Sequence, residues 1–128
     1  MAKRQSIYID GFPHANPIPA ACRIGPMLCS GVIYGRDPHT QQVPEDLEQQ
    51  CELMFMHVRS IVEAAGGTLE DVIKMTLWMQ DKSQRETVNR HWEKAFPDAN
   101  ARPARHALEG NFTGNTLIQC DFTAVLGE

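Results

Sequence analysis

Arg102-Pro-Ala-Arg-His-Ala-Leu-Glu-Gly-Asn-Phe-Thr-Gly-Asn-Thr-Leu-Ile-Gln-Cys-Asp-Phe-Thr-Ala-Val-Leu126 is the stretch from which the fold is read. Pro103 stands where a strand begins, a position that tolerates a missing N–H. Two apolar-alternating runs flank Gly110 to Thr116, a segment of turn residues, so the stretch is expected to form a β-hairpin. The second run has two unlike faces. Ile118, Cys120, Phe122, Ala124 and Leu126 point one way; Leu117, Gln119, Asp121, Thr123 and Val125 point the other. Arg105 then starts one strand while two polar side chains lie in the middle of its partner. A planar cation near polar groups on one sheet face is a candidate carboxylate site. A surface arginine beside a solvated strand face is the alternative that these residues leave open.

Working outward, the 128 residues suit a single domain, 1–128. Hydrophobic residues make up 42% and charged residues 22%, enough for a real core. The net charge of −4 and the lack of any basic run give no support to a nucleic-acid surface. No apolar run approaches membrane-spanning length, and Met1-Ala-Lys-Arg-Gln-Ser6 is not followed by a signal-type apolar region. A cytoplasmic protein is expected. Cys22, Cys29, Cys51 and Cys120 form no CxxC pair, and the five histidines show no metal spacing. The cysteines are expected to be small buried hydrophobes.

Upstream, Gln5 to Asp10 and Ala20 to Ile24 read as short strands, separated by a loop with three prolines. Met27 to Ile33 reads as an apolar third strand interrupted by Ser30-Gly31, where a glycine marks a bulge or a close approach. Pro44 opens the first helix, with Leu47, Cys51, Met54, Phe55, Val58, Ile61 and Ala65 at helical spacing and Gly66-Gly67 as its stop. The Met54/Met56 pair is expected to fill core. Thr68 to Asp71 reads as a capping box before a strand from Val72 to Met79. Ser83 to Glu86 reads as a second box, opening a helix through Val88, Trp92, Ala95 and Phe96 that Pro97 ends. Asn89 is a poor mid-helix residue, either exposed or bonded into an adjoining site.

The order β-β-β-α-β-α-β-β implies an α+β architecture, one mixed sheet with two helices on one face. Several strands carry apolar residues on both sides, so the uncovered face needs a partner and a homo-oligomer is expected.

Cys29-Ser-Gly-Val-Ile33, Ile61-Val-Glu-Ala-Ala-Gly-Gly67, Asp71-Val-Ile-Lys-Met-Thr76, Asn89 with Trp92 and Phe96-Pro97, Arg102-Pro-Ala-Arg105 and the closing strand occur in this order over nearly the whole chain. In these residues the sequence resembles the reactive intermediate deaminase family (RidA/YjgF, also called the L-PSP endoribonuclease family). The resemblance implies a chorismate-mutase-like fold, a homotrimer, and ligand sites in clefts between subunits. It also implies hydrolysis of 2-imino acids, formed from enamines, to 2-oxo acids and ammonia, with no metal or organic cofactor. The motif arginine falls on Arg105, which would clamp the carboxylate of a small substrate. The Ser-Gly pair falls on Ser30 and Gly31, and the helix asparagine on Asn89.

Three positions depart from the family pattern. Ala107 stands where a cysteine is frequent. Asn16-Pro-Ile-Pro19 occupies the region of a usual tyrosine. Gln119 takes the place of the catalytic glutamate in an ungapped match, whereas a hairpin of different length brings Asp121 there. A glutamine orients water but cannot accept its proton. Three readings follow: a deaminase acting on an imino acid or a related amino-unsaturated acid such as 2-aminomuconate, a non-enzymatic carboxylate-binding trimer, and an endoribonuclease or translation inhibitor. The acidic charge disfavours the last.

Overall fold

The computed structural model describes residues 3–127. Its elements are β1 (Gln5–Ile7), β2 (Ala21–Ile24), β3 (Met27–Ser30), β4 (Ile33–Tyr34), α1 (Leu47–Ala64), β5 (Val72–Met79), α2 (Arg85–Ala95), β6 (Ala104–Glu109) and β7 (Ile118–Val125). Short 3₁₀ turns, Leu69–Asp71 and Lys82–Gln84, precede β5 and α2. The strands form one mixed sheet in the order β1-β2-β3-β7-β5-β6, with β4 also paired to β7. Among the described strands β6 alone runs parallel to its neighbour, β5.

The expected hairpin does not form. β6 and β7 lie on opposite sides of β5, which pairs with both. The intervening segment steps over the end of β5, where the Gly110 N–H bonds the Met79 carbonyl and the Gln80 N–H bonds the Leu117 carbonyl. Turn residues report only that the chain reverses. The connection from Gly110 to Leu117 is long enough to cross the roughly 10 Å between next-nearest strands. Seating β5 in the gap satisfies both of its backbone edges.

The two-faced reading of β7 holds. Ile118, Cys120, Phe122 and Ala124 are buried against the helices, with Leu28, Met75, Leu77 and Met79 from neighbouring strands. α1 contributes Leu47, Cys51, Met54, Phe55, Val58 and Ile61 to this core, and α2 contributes Val88 and Trp92. Among the described residues no helix covers the opposite sheet face. At one end it shows Ile24, Met27 and Val125, 46%, 46% and 40% exposed. Cys22 and Cys29 pair across β2 and β3, and Cys29 is exposed. Only Cys51 and Cys120 are buried as expected, because neither side chain of the cross-strand pair reaches the helix-covered layer. Met56, at 40% exposure, lies outside the core that Met54 fills.

Local signals place most ends. α1 starts at Leu47 with Asp46 as cap, three residues after Pro44. Gly66 takes φ +95° just past its end, where L side chains are strained. Thr68 forms the expected capping box with Asp71. Ser83 does not cap α2. Asp81 accepts from the Ser83 N–H and hydroxyl instead, and α2 begins at Arg85. Gly35 is required by packing, since a Cβ there would stand 2.3 Å from the Gln50 carbonyl oxygen of α1. Among the described residues no helix is long and apolar enough to cross a membrane.

Candidate active site

Arg105 lies on the edge strand β6 opposite Met75, so it belongs to the helix-covered face of the sheet. Its guanidinium carbon sits 5.0 Å from the centre of the Trp92 ring on α2, a cation–π contact that fixes the side chain's direction. Trp92 itself is buried and packs edge-on against Phe96. A cavity of about 160 Å³ opens beside Arg105, lined by Leu77, Met79, Lys82, Arg85, Val88, Arg105 and Ala107. Partial burial, and then the charge of Arg85, hold the Arg105 proton affinity below the ordinary arginine value. Arg105 remains a cation at any physiological pH. Asn89 is half-buried one helical turn from Trp92 and Arg85, on the same side of α2.

Gln119 and Asp121 are elsewhere. They lie opposite Trp78 and Thr76 on β5, in the alternate register from Arg105, and so on the open face. The expectation that Arg105 shares a face with these polar groups fails for that reason. The hairpin register put them together; inserting β5 allows each strand its own phase. His106, Thr76 and Asp121 make a row across β6, β5 and β7 on the open face. Burial pushes the Asp121 carboxyl above its usual range, and the charge of Lys74 pulls partly the other way. Gln119 lies beside Tyr34 of β4 and lines a cleft of about 400 Å³ with Tyr34, Phe112 and Thr116.

Ser30 and Gly31 form the break between β3 and β4. Cys29 pairs with Thr123 and Ile33 with Cys120, so Ser30, Gly31 and Val32 face Asp121 and Phe122 across the gap. The Ser30 hydroxyl bridges the break. It accepts from the Phe122 N–H at 2.9 Å and donates to the Gly31 carbonyl at 2.8 Å. The Gly31 N–H donates to the Ala20 carbonyl. Ser30 therefore mends the interrupted ladder next to Asp121.

The candidate residues thus divide between the two faces of one sheet. Arg105 lies on the helix-covered face, with Asn89 on the neighbouring α2 but outside the lining of the Arg105 cavity; Ser30, Gly31, Gln119 and Asp121 belong to β3, the β3–β4 break and β7, with Gln119 and Asp121 on the open face. Lys82 and Arg85 escaped the sequence reading. They lie at a helix start, where basic residues carry no sequence signature, and only the fold of the 3₁₀ turn onto β6 brings them to Arg105. A depression of about 640 Å³ beside the start of α1 has Asp37, Glu45, Asp46 and Glu52 among its lining residues. Its acidic wall repels carboxylates, so the candidate site is not placed there.

The family described as Endoribonuclease L-PSP matches residues 11–117. A protein named 2-iminobutanoate/2-iminopropanoate deaminase from Salmonella typhimurium is 36% identical over 107 residues, covering 82% of this chain and 84% of that protein. The crystal structure of the YjgF gene product from Escherichia coli superposes with a TM-score of 0.86 at 29% identity, covering 94% of this chain and 98% of that one. Escherichia coli TdcF, whose crystal structure holds bound serine, gives a TM-score of 0.87 at 25% identity, with coverage of 96% and 99%.

Proposed function

Since the chain belongs to the RidA/YjgF (Endoribonuclease L-PSP) family, we propose that it hydrolyses 2-imino acids to 2-oxo acids and ammonia at a site shared between subunits of a homotrimer. The observation that carries this reading is the Arg105 guanidinium, stacked on Trp92 beside a cavity that no carboxylate lines among the described residues. A planar cation left unpaired in this way suits bidentate capture of a carboxylate. The deaminase name of the 36%-identical relative and the serine held by TdcF, a 2-amino acid, point to the same ligand class.

Arg105 and Asp121 cannot reach one substrate within one chain, because the sheet stands between them. A second copy, docked on the bare face that shows Ile24, Met27 and Val125, brings one subunit's Asp121 to its neighbour's Arg105. In the reaction, Arg105 fixes the carboxylate and so the imine carbon. Water adds to that carbon while Asp121 takes its proton as general base. Protonated Asp121 then gives its proton to the nitrogen of the resulting hemiaminal; the C–N bond breaks, ammonia leaves, and the hydroxyl proton is lost as the carbonyl of the 2-oxo acid forms. A carboxyl shifted upward is a stronger base than an ordinary aspartate once it is ionised. Gln119, at the rim with Tyr34, orients the water.

The test is ammonia release from 2-iminobutanoate generated in situ. Wild-type turnover with a loss of about 10²–10⁴-fold in Asp121→Asn fits the assignment. Undetectable wild-type activity, switched on by Gln119→Glu, instead supports a binding trimer without turnover. Gln119 in place of an acid is the feature that favours that second reading.

A further inference from the structure

The cavity beside Arg105 holds more positive charge than one carboxylate neutralises. Lys82, Arg85 and Arg105 line it together, and the rest of its wall is apolar, including Leu77, Val88 and Ala107. Among the described residues no acidic side chain lines it. None of the three cations has an ion-pair partner among the described residues, where the ion pairs are those of Glu48 with Arg90 and His91. Arg85 and Arg105 are exposed, and each makes one contact that orients its side chain. The Arg85 Nε–H donates to the Lys82 carbonyl at 3.3 Å, and Arg105 rests on Trp92. Like charges gathered beside an apolar wall repel one another, and an anion that meets all three relieves that repulsion.

We propose that this cavity selects a substrate with two anionic ends, a 2-imino dicarboxylic acid. Arg105 holds the carboxylate beside the imine, and Lys82 with Arg85 hold the distal one. The size agrees with a partial insertion. About 160 Å³ is room for about five water-sized groups, enough for a carboxylate and a methylene or two but not for a whole diacid. Leu77, Val88 and Ala107 give the methylenes an apolar wall. The proposal rests on the deaminase reading for the word imino; the preference for two anionic ends stands on the cavity alone.

Binding and turnover are therefore measured separately. Calorimetry compares 2-oxoglutarate with 2-oxobutanoate, stable keto acids that differ by the second carboxylate. The diacid should bind about 10–100-fold tighter, the worth of charge-assisted hydrogen bonds to one more anionic group. The preference should shrink as salt is added. In the Lys82→Ala/Arg85→Gln double variant the ratio of the two affinities should fall to near one. Equal affinities in the wild type, or a preference that survives in the double variant, would overturn the proposal. In parallel, ammonia release is followed from 2-iminoglutarate and 2-iminobutanoate. Diacid-selective binding with no ammonia from either imine leaves the dianion site standing and removes the deaminase reading. Equal affinities together with equal kcat/KM on both imines do the reverse.

Discussion

Complementation between two inactive variants tests whether the site is built from two chains. Arg105→Ala removes the carboxylate clamp on the helix-covered face, and Asp121→Asn removes the base on the open face. Each variant alone should lose activity, Asp121→Asn by about 10²–10⁴-fold. Suppose that the two are refolded together in equal amounts and assemble at random into a head-to-tail ring. Each interface then draws Arg105 from one subunit and Asp121 from the next. A site is intact when the first is an Asp121→Asn chain and the second an Arg105→Ala chain. Each condition holds half the time, so about one quarter of the sites should be whole. Ammonia release per site should accordingly recover to about one quarter of wild type, far above the background of either variant. Mixed assemblies are confirmed by tagging one variant and recovering both through the tag. A mixture that co-purifies yet stays at background would refute the reasoning, since it would mean that one chain supplies both groups or that Asp121 is not the base.

Other outcomes follow from single contacts. Arg105→Lys keeps the charge but loses the planar fork and the stacking on Trp92, so calorimetry should find 2-oxo acid binding weakened by about tenfold. Because the Asp121 carboxyl is shifted upward, the acidic limb of kcat/KM should fall away at a pH above that of an ordinary aspartate; Lys74→Ala, which removes the opposing charge, should move that limb higher still. The sign for stability is the reverse of a salt-bridged aspartate: the folded state favours the protonated form, so ionisation destabilises at pH above the shifted value and not below the unfolded one. Asp121→Asn should therefore raise the Tm near neutrality and leave it unchanged in strong acid. Gln50 is fully buried in α1, donates to the Pro44 and Asn115 carbonyls and accepts from the Leu117 N–H. Gln50→Ala should lower stability by about 2–4 kcal/mol in urea unfolding, because those backbone groups lose their partner.

Patterns of neighbouring residues were enough for both helices and most strands, although the run Met27 to Ile33 divides into β3 and β4 and the strand from Gln5 stops at Ile7 instead of Asp10. β5 has the bounds that its apolar run suggests, the alternation along Ile118 to Val125 divides fully buried from partly or wholly exposed residues, and Gly66 ends α1. These features follow from backbone geometry and periodicity, which act over a few residues and are therefore written in local sequence. The Pro-Ala-Arg and Ser-Gly motifs carry the family likeness in the same way, as short strings of adjacent residues. What lay beyond the sequence was the partner of each strand. Turn residues between Gly110 and Thr116 announce a reversal, but not that β5 enters from upstream, across the whole of α2, to separate β6 from β7. That insertion sets the phase of each strand independently. It puts Arg105 on one face and Asp121 on the other, turns Ser30 into the bridge of a broken ladder, and delivers Lys82 and Arg85 to the Arg105 cavity. Such placements depend on long-range backbone pairing and shared burial, where the gain comes from residues far apart in the chain, and only the folded sheet decides them.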